Sequence, residues 1–507
     1  LSDNLWIFIL KVKEMVNFQN STKKLSSIVL IAIFSGCSLI PSVGPDYERP
    51  ADPTVAGWIL DENGQKLFST SMDSRAAWWK KFNDPVLDDI VKKAIDKNLN
   101  LQIAQSRLQQ ARAGEYGALS AFLPTVDGIY GMNRQIQSQR TPFGQFIPNI
   151  INQYQLGGDA AWEIDIFGGN RRGLEAAESI TEAAEAGLDD TGVTIASEVA
   201  KNYLEYRAFS RRVLIAESNK RTQLSSLDLV QAKFDAGVVS ELDLQQQKSQ
   251  LETTSSFIPA LVAAREQRLY RVAVLLGEIP QSFSITDDAK KNDPFTFRDV
   301  VSVSLPAEYL RVRPDVRVAE RQLAAQTAEI GVAIADIFPK VNILAGIGVQ
   351  SIDSSKLTER ASKYWSFNPS VSIPIFQPGR IFGAIKNARA KAEEALKNYE
   401  VTVLTALEDG QNSLNGYKYG LDRISNLEGA YNASKRALEI SQDLYAQGLI
   451  DFQRILESQR QVFSAEDSLL QGQLDTYLSA IAVYKAFAGG LPNEEAVDSE
   501  KKPNESV

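Results

Sequence analysis

The sequence predicts an α+β membrane protein in which long helices are interrupted by four short amphipathic strands, and in which several chains share one β-barrel. Three observations predict this: strict apolar–polar alternation in the strand segments, long stretches without proline, and an internal duplication. All three belong to a chain whose composition is that of a folded protein.

The 507 residues are 44% hydrophobic and 23% charged, unlike a disordered chain. The net charge of −9 lacks the basic surface that nucleic acid requires, so no nucleic-acid partner is expected. There is no histidine, which excludes His-based acid–base catalysis, Ser–His–Asp triads and His-ligated metals. The single cysteine, Cys37, allows neither an internal disulfide nor a thiolate zinc site. Nothing groups a nucleophile with a base, so no enzyme activity, cofactor or metal is expected.

The chain opens on a targeting pattern. Lys23 and Lys24 precede an apolar run from Leu25 to Phe34, shorter than the roughly 20 residues a spanning helix needs. A basic flank, a short apolar core and small residues read as a secretory signal. The signal ends Phe34-Ser35-Gly36-Cys37, so Cys37 is expected to be lipidated and to become the mature N-terminus, with Phe34 a departure from the usual aliphatic residue. Ser38, in place of an Asp, points to the outer membrane. Met15 is the expected initiator, with the residues before it an upstream extension. No other segment approaches 18 consecutive apolar residues, so any spanning structure must be a closed barrel.

The duplication has a period of roughly 210 residues. "LQQARAGEYGALSAFLPTV" (Leu108–Val126) matches "LAAQTAEIGVAIADIFPKV" (Leu323–Val341). "WEIDIFGGNRR" (Trp162–Arg172) matches "VSIPIFQPGRI" (Val371–Ile381), and "FDAGVVSELDL" (Phe234–Leu244) matches "YAQGLIDFQRI" (Tyr445–Ile455). Each half therefore reads helix, strand, loop, strand, long helix, tight turn, return helix. The expected divisions are a signal at 1–36, a lipidated segment at 37–83, a first repeat at 84–280, a linker at 281–306, a second repeat at 307–490 and a tail at 491–507.

Strands are expected at about 125–139, 154–167, 340–352 and 366–376. From Tyr154 the even positions are Tyr154, Leu156, Gly158, Ala160, Trp162, Ile164 and Ile166. The odd positions carry all the charge, at Asp159, Glu163 and Asp165, which are expected to line a lumen. Trp162 fits a membrane-interface anchor or a core position. Segments of about ten alternating residues suit lipid-facing and lumen-facing strands. Four strands cannot close a barrel, and open edges are not tolerated in lipid, so oligomerisation is required.

Arg171 to Ala236 runs without proline, and a helix of that length reaches roughly 100 Å. The chain is expected to return over Ser240 to Leu276, and the second half to repeat this over Arg380–Gln447 and Asp451–Phe487. Single helices are expected over Asp84–Phe122 and Ala307–Phe338. Gly237 and Gly448 follow the long helices, where a positive φ closes the turn.

These motifs, with "GPDYERP" (Gly44–Pro50), "LRVRPDVRVAERQL" (Leu310–Leu323), "IFPKV" (Ile337–Val341) and "IPIFQPGR" (Ile373–Arg380), resemble the outer-membrane efflux factor family, the TolC-like tunnels. The match is to the lipoprotein branch, the NodT-type subunit of resistance–nodulation–division efflux systems, and covers roughly Gly44 to Pro492. The resemblance implies a homotrimer with a twelve-stranded shared barrel, a long periplasmic α-helical barrel and an equatorial mixed domain. It implies a passive channel working with a periplasmic adaptor and an inner-membrane pump of the resistance–nodulation–division type.

The resemblance also places adaptor docking at Ala236, Gly237, Val238, Gln447, Gly448 and Leu449. It places an aperture ring near Asp451, Arg454 and Glu457, with Asp243 and Gln246 as their counterparts in the first half. Arg454 stands where some relatives carry an acid. Two other readings fit parts of the sequence: a tunnel for secreted proteins or peptides, and a structural periplasmic coiled-coil lipoprotein.

Overall fold

The computed structural model describes residues 42–51, 53–55, 57–69, 77–136, 138–140, 142, 146, 148–285 and 301–487. Cys37 and the signal segment, most of the 281–306 linker and the 491–507 tail lie outside the described residues.

In chain order the elements are α1 (Glu62–Leu67), β1 (Phe68–Ser69), α2 (Pro85–Lys97), α3 (Leu99–Ser120), β2 (Thr125–Ile136), β3 (Ile150–Ile164), α4 (Gly169–Asp235) and α5 (Glu241–Leu275). They continue as β4 (Val301–Ser302), α6 (Pro306–Val312), α7 (Pro314–Ala335), β5 (Lys340–Ser351), β6 (Lys363–Ser372), α8 (Pro378–Ala446) and α9 (Phe452–Phe487). No described helix is long and apolar enough to cross a membrane. The chain compacts into two units, each drawn from both halves of the sequence: the described parts of Leu1–Tyr47, Gly114–Ala177 and Ala325–Ala392, and those of Glu48–Ala113, Glu178–Ala324 and Glu393–Val507.

The first unit is built on a four-stranded antiparallel sheet in the order β2-β3-β5-β6. Its strand limits correct the expected ones. β3 begins at Ile150 because Ile150 pairs with Ile136, although the adjacent apolar pair Ile150-Ile151 hides the alternation there. It ends at Ile164, and the chain turns at Gly168 with φ +83°. β6 begins at Lys363, which pairs with Val349, and ends at Ser372, ahead of Pro374. Pro369 lies inside β6, the outermost strand of this chain's sheet, and has no amide hydrogen to give to a ladder.

At the start of α4 the buried Arg172 clamps the segment that leads in from the N-terminus. Its Nε donates to the Val43 carbonyl at 3.1 Å, and its guanidinium reaches Asp46 at 2.5 Å and Glu175 at 2.7 Å. Gly44, at φ +96°, lies so close to Gly331 of α7 that neither position has room for a side chain.

The second unit is helical. Asp84 caps α2 through the Val86 and Leu87 amides, with Pro85 at the first helical position. The Asp84 carboxylate is itself buried, accepting from the Tyr203 hydroxyl at 2.8 Å and from Arg207. The single helix expected over Asp84–Phe122 is broken at Asn98, which is extended with ψ 128°. Asn98 Oδ1 caps α3 through the Asn100 and Leu101 amides, and Nδ2 donates to the Leu275 carbonyl at 2.7 Å. The helix expected over Ala307–Phe338 is likewise broken at Arg313, extended with ψ 124° because Pro314 follows. Both breaks lead into helices of 22 residues, α3 and α7.

Residues 57–69 form a strap along α8. The Gln411 side-chain amide accepts from Ile59 N at 2.9 Å and donates to Ile59 O at 3.0 Å, as a neighbouring strand would. Lys418 pairs with Asp61 at 2.6 Å. Trp58 packs edge-on to Tyr309 at 5.1 Å and to Phe487 at 5.4 Å, and its Nε1 donates to Ser304 O. Gly410 leaves the space its indole occupies. At the end of this strap β1 pairs in parallel with β4.

Candidate functional site

The sheet separates two chemistries by register. Antiparallel partners share a face, so the pairings carry each face across all four strands. One face holds Val126, Tyr130 and Met132 of β2, Leu156, Ala160 and Trp162 of β3, Val341, Ile343 and Ile347 of β5, and Trp365, Phe367 and Val371 of β6. Several of these large apolar groups are exposed, among them Tyr130 at 78%, Ile347 at 70% and Trp365 at 78%. Monomeric soluble proteins rarely carry a continuous patch of this kind.

The opposite face holds Asp127, Asn133, Gln155, Asp159, Glu163, Asn342, Gln350, Ser366, Asn368 and Ser370. Asp159 stands directly opposite Asp127, and Glu163 opposite Asn342 with Lys340 4.0 Å away. On this face the Tyr364 ring lies across Gly157 and Gly348, and its hydroxyl accepts from Gln155 at 2.7 Å. Among the described residues, neither β2 nor β6 has a strand on its outer edge.

One expectation on these strands changes. Asp165 lies beyond the end of β3, and its carboxylate accepts from Arg171 N at 3.0 Å and Nε at 3.3 Å, so it secures the start of α4 instead of facing outward from a strand. Trp162 is half-buried, with Nε1 donating to the Phe122 carbonyl at 3.0 Å.

In the second unit the two helical hairpins end in matching turns. Gly237 has φ +74° and Gly448 φ +73°. Gly237 N donates to Phe234 O at 2.8 Å and Val238 N to Lys233 O at 2.8 Å. Gly448 N and Leu449 N donate to Tyr445 O and Leu444 O, both at 2.9 Å. This is the pair of bonds by which a helix closes on a left-handed glycine. Ala236, Gly237, Val238, Gln447, Gly448 and Leu449 are all exposed, Val238 at 71% and Leu449 at 66%. The tips pack on each other through Val230, Leu244, Phe452, Ile455 and Leu456, with Phe234, Val239 and Tyr445 around them. Lys233 adds a bond to the Tyr445 hydroxyl at 3.2 Å. Sequence reading missed this contact, because the residues that meet are about 210 positions apart in the chain.

The aperture candidates divide by what they bond. Asp243 is the third residue of α5 and forms a capping box with Ser240: Ser240 N donates to its Oδ2 at 3.0 Å, and Asp243 N to Ser240 Oγ at 3.3 Å. Asp451 precedes α9 and accepts from Arg454 N at 3.1 Å. Both carboxylates therefore secure helix starts. Gln246 is half-buried, while the adjacent Gln247 is fully buried and donates to Gln223 O. Arg454 and Glu457 approach to 3.5 Å with both side chains about two-thirds exposed.

The break at Arg313 gathers several charges around a half-buried side chain. Arg313 bonds Asp315 at 2.5 and 2.8 Å and the Tyr309 hydroxyl at 2.5 Å. Burial pushes the Tyr309 phenol up to about 12, against the pull of Arg313. A cavity of about 370 Å3 opens beside it, lined in part by Asp190, Asp409, Ser413 and Lys485. Burial, then the nearby Asp315, raise the pKa of Asp190.

No group of three or more His, Cys, Asp or Glu arranged to hold a metal lies among the described residues. A family model described as "Outer membrane efflux protein" matches residues 90–278 and 305–489, both helical hairpins and all four strands of the sheet. The chain belongs to the outer membrane efflux protein family.

It is 30% identical to the solvent efflux pump outer membrane protein SrpC of Pseudomonas putida over 480 residues, covering 92% of this chain and 98% of that protein. It is 29% identical to nodulation protein T of Rhizobium leguminosarum bv. trifolii, covering 86% and 91%. Among solved structures, the outer-membrane channel OprN superposes with a TM-score of 0.81 at 34% identity, over 88% of this chain and 99% of that one. The open state of the MtrE outer membrane channel of Neisseria gonorrhoeae gives 0.78 at 25% identity, over 89% and 99%.

Proposed function

We propose that this member of the outer membrane efflux protein family is the outer-membrane channel of a tripartite efflux pump. It conducts small molecules passively to the exterior, and an inner-membrane pump supplies the energy through a periplasmic adaptor. The observation that carries the reading is the register of the sheet: one exposed apolar face, one polar face and a bare edge on either side.

Bare edges are not tolerated in lipid, and four strands do not close a barrel. Copies must therefore join, β6 of one beside β2 of the next, antiparallel like every other pair in the sheet. Three copies supply the twelve strands that resemblance to TolC-like tunnels implies, with Asp127, Asp159 and Glu163 toward the lumen. The two halves descend from one duplicated unit. Supporting this are the matched 22-residue helices, the 12-residue strands β2 and β5, and the shared break at Asn98 and Arg313.

The same reading gives Cys37 a lipid anchor in the outer membrane and projects the helices into the periplasm. It makes Ala236-Gly237-Val238 and Gln447-Gly448-Leu449 the adaptor's docking points and leaves Glu457 as the exposed acid of the aperture. The pump is of the resistance–nodulation–division type. The name of the SrpC relative supports small organic solutes as cargo.

The test is purification of the mature chain from the outer membrane, its mass in detergent, and current across a planar bilayer. A heat-modifiable trimer that conducts ions and copurifies with an adaptor is expected. A monomer confined to the soluble periplasmic extract would refute the reading.

A further inference from the structure

The loop-bearing end of the sheet has a charge opposite in sign to that of the chain. Across 134–140 and 351–363 the basic residues are Arg134, Arg140, Lys356, Arg360 and Lys363, all exposed. The acidic residues are only Asp353 and Glu359, and the connecting loop 137–149 adds none. Asp353 is already engaged, accepting from Ser355 N at 3.0 Å and Ser355 Oγ at 2.8 Å. None of the five cations forms an ion pair within 4 Å among the described residues. The whole chain carries −9, so this end departs from the average in sign as well as size.

Two of the five have a defined direction. Arg134 follows Val126, Tyr130 and Met132 on the apolar face of β2, and Lys363 precedes Trp365, Phe367 and Val371 on the same face of β6. Arg134 stands opposite Asn152, and Lys363 opposite Val349 with Ser351 one rung beyond, so the polar positions run obliquely across that face as a row. Beyond it on the strands only the Ile136–Ile150 pair remains. Long cationic side chains at the margin of an apolar band lay their stems on it and hold their charge in the headgroup layer. Among the described residues no carboxylate pairs with Arg134 or Lys363, which leaves their charge open to a ligand from outside the chain. The chemistry that fits both the band and the row is a lipid with acyl chains and a phosphate-bearing headgroup.

We propose that the rim formed by Arg134 and Lys363, extended by Arg140, Lys356 and Arg360, binds anionic, phosphate-bearing lipid headgroups of the leaflet it faces. The proposal rests on the reading of the sheet as part of a membrane wall, and the experiment separates the two.

The full chain, purified in neutral detergent, is offered diphosphorylated lipid A, monophosphorylated lipid A or phosphatidylcholine. Retained lipid is counted by native mass spectrometry, and current is measured in parallel. The wild-type protein is expected to retain diphosphorylated lipid A over phosphatidylcholine by about tenfold, and Arg134→Gln/Lys363→Gln to lose most of that preference. Conductance is expected to be unchanged. Arg134→Lys/Lys363→Arg keeps both charges and is expected to keep the preference, so it serves should the neutral pair fail to assemble.

A wild-type channel that conducts yet retains the three lipids equally overturns the rim proposal and leaves the wall intact. Displacement of the lipid by millimolar inorganic phosphate also overturns it, by showing a site for free anions. A wild-type chain that neither enters lipid nor conducts overturns the wall itself.

Discussion

Gly410 sits in the middle of α8, where replacement by alanine normally stabilises a helix by about 1 kcal/mol. At this position the sign reverses. A Cβ at Gly410 would come 2.5 Å from Trp58 Cη2, 2.9 Å from Cζ3 and 3.1 Å from the Tyr309 hydroxyl. The indole is a rigid plate held against Tyr309 and Phe487 and fixed by its bond to Ser304 O, so it has to leave its seat.

Leaving forfeits a hydrogen bond worth about 1 kcal/mol and two edge contacts worth about 0.5–1.5 kcal/mol each. Against the helix gain, Gly410→Ala is expected to cost about 1–3 kcal/mol in all. Gly429→Ala, in the same helix with nothing within 4 Å of its Cβ, is the control and is expected to gain about 1 kcal/mol. The assay is the apparent melting temperature of the purified protein at a fixed scan rate, with the rate of proteolysis within residues 57–67 as a local readout. Gly410→Ala should melt lower and be cut faster in the strap. In a Trp58→Ala background the same change should stabilise. Gly410→Ala melting above the wild type with an uncut strap would refute the steric argument.

Other changes test other parts of the chain. Asp190 has its pKa raised by burial first and then by Asp315, so its charged form weakens the fold at neutral pH. Its favourable contribution is complete below the ordinary value of 3.8 and is lost as pH rises through the raised value. Asp190→Asn should therefore raise the melting temperature at pH 7 and lose that advantage near pH 3, as melts at the two pH values will report. Glu457→Gln removes an exposed pair worth at most about 0.5 kcal/mol, so melting should not move while the cation preference of single channels falls. Gly237→Val forces a β-branched residue to φ +74° and should cost about 1–2 kcal/mol, read as faster proteolysis at the tip. Val238→Asp with Leu449→Asp leaves both turn bonds intact and should abolish copurification of the adaptor without altering conductance.

The sequence disclosed the parts of this chain that local chemistry decides. The glycines at 237 and 448 end helices because only a left-handed residue closes that turn, and both were readable from spacing alone. The alternation of β3 was plain from Tyr154 to Ile164. The break at Arg313 was also legible, since Pro314 disfavours a helical backbone at the preceding residue, but the helical periodicity on both sides masks it. The break at Asn98 has no such local mark. It is held by a bond to Leu275 O, far along the chain, and no local pattern announces that partner.

Asp243 shows the opposite hazard. The spacing Ser240-x-x-Asp243 at the head of a helix is a capping signature, and its carboxylate is taken up by that cap. The strap, with Gln411 standing in for a strand beside Ile59, depends on a pairing 352 residues apart and was beyond any local pattern.

The bare outer edges of β2 and β6 bear on inheritance as well as on assembly. If each ring needs every copy to offer both edges, one faulty member spoils the circle for its sound neighbours. In the three-copy assembly proposed above, a cell that makes normal and edge-blocked chains together would form intact rings as the cube of the normal fraction. Such an allele would behave as a dominant one, whereas loss of the gene on one copy would be silent.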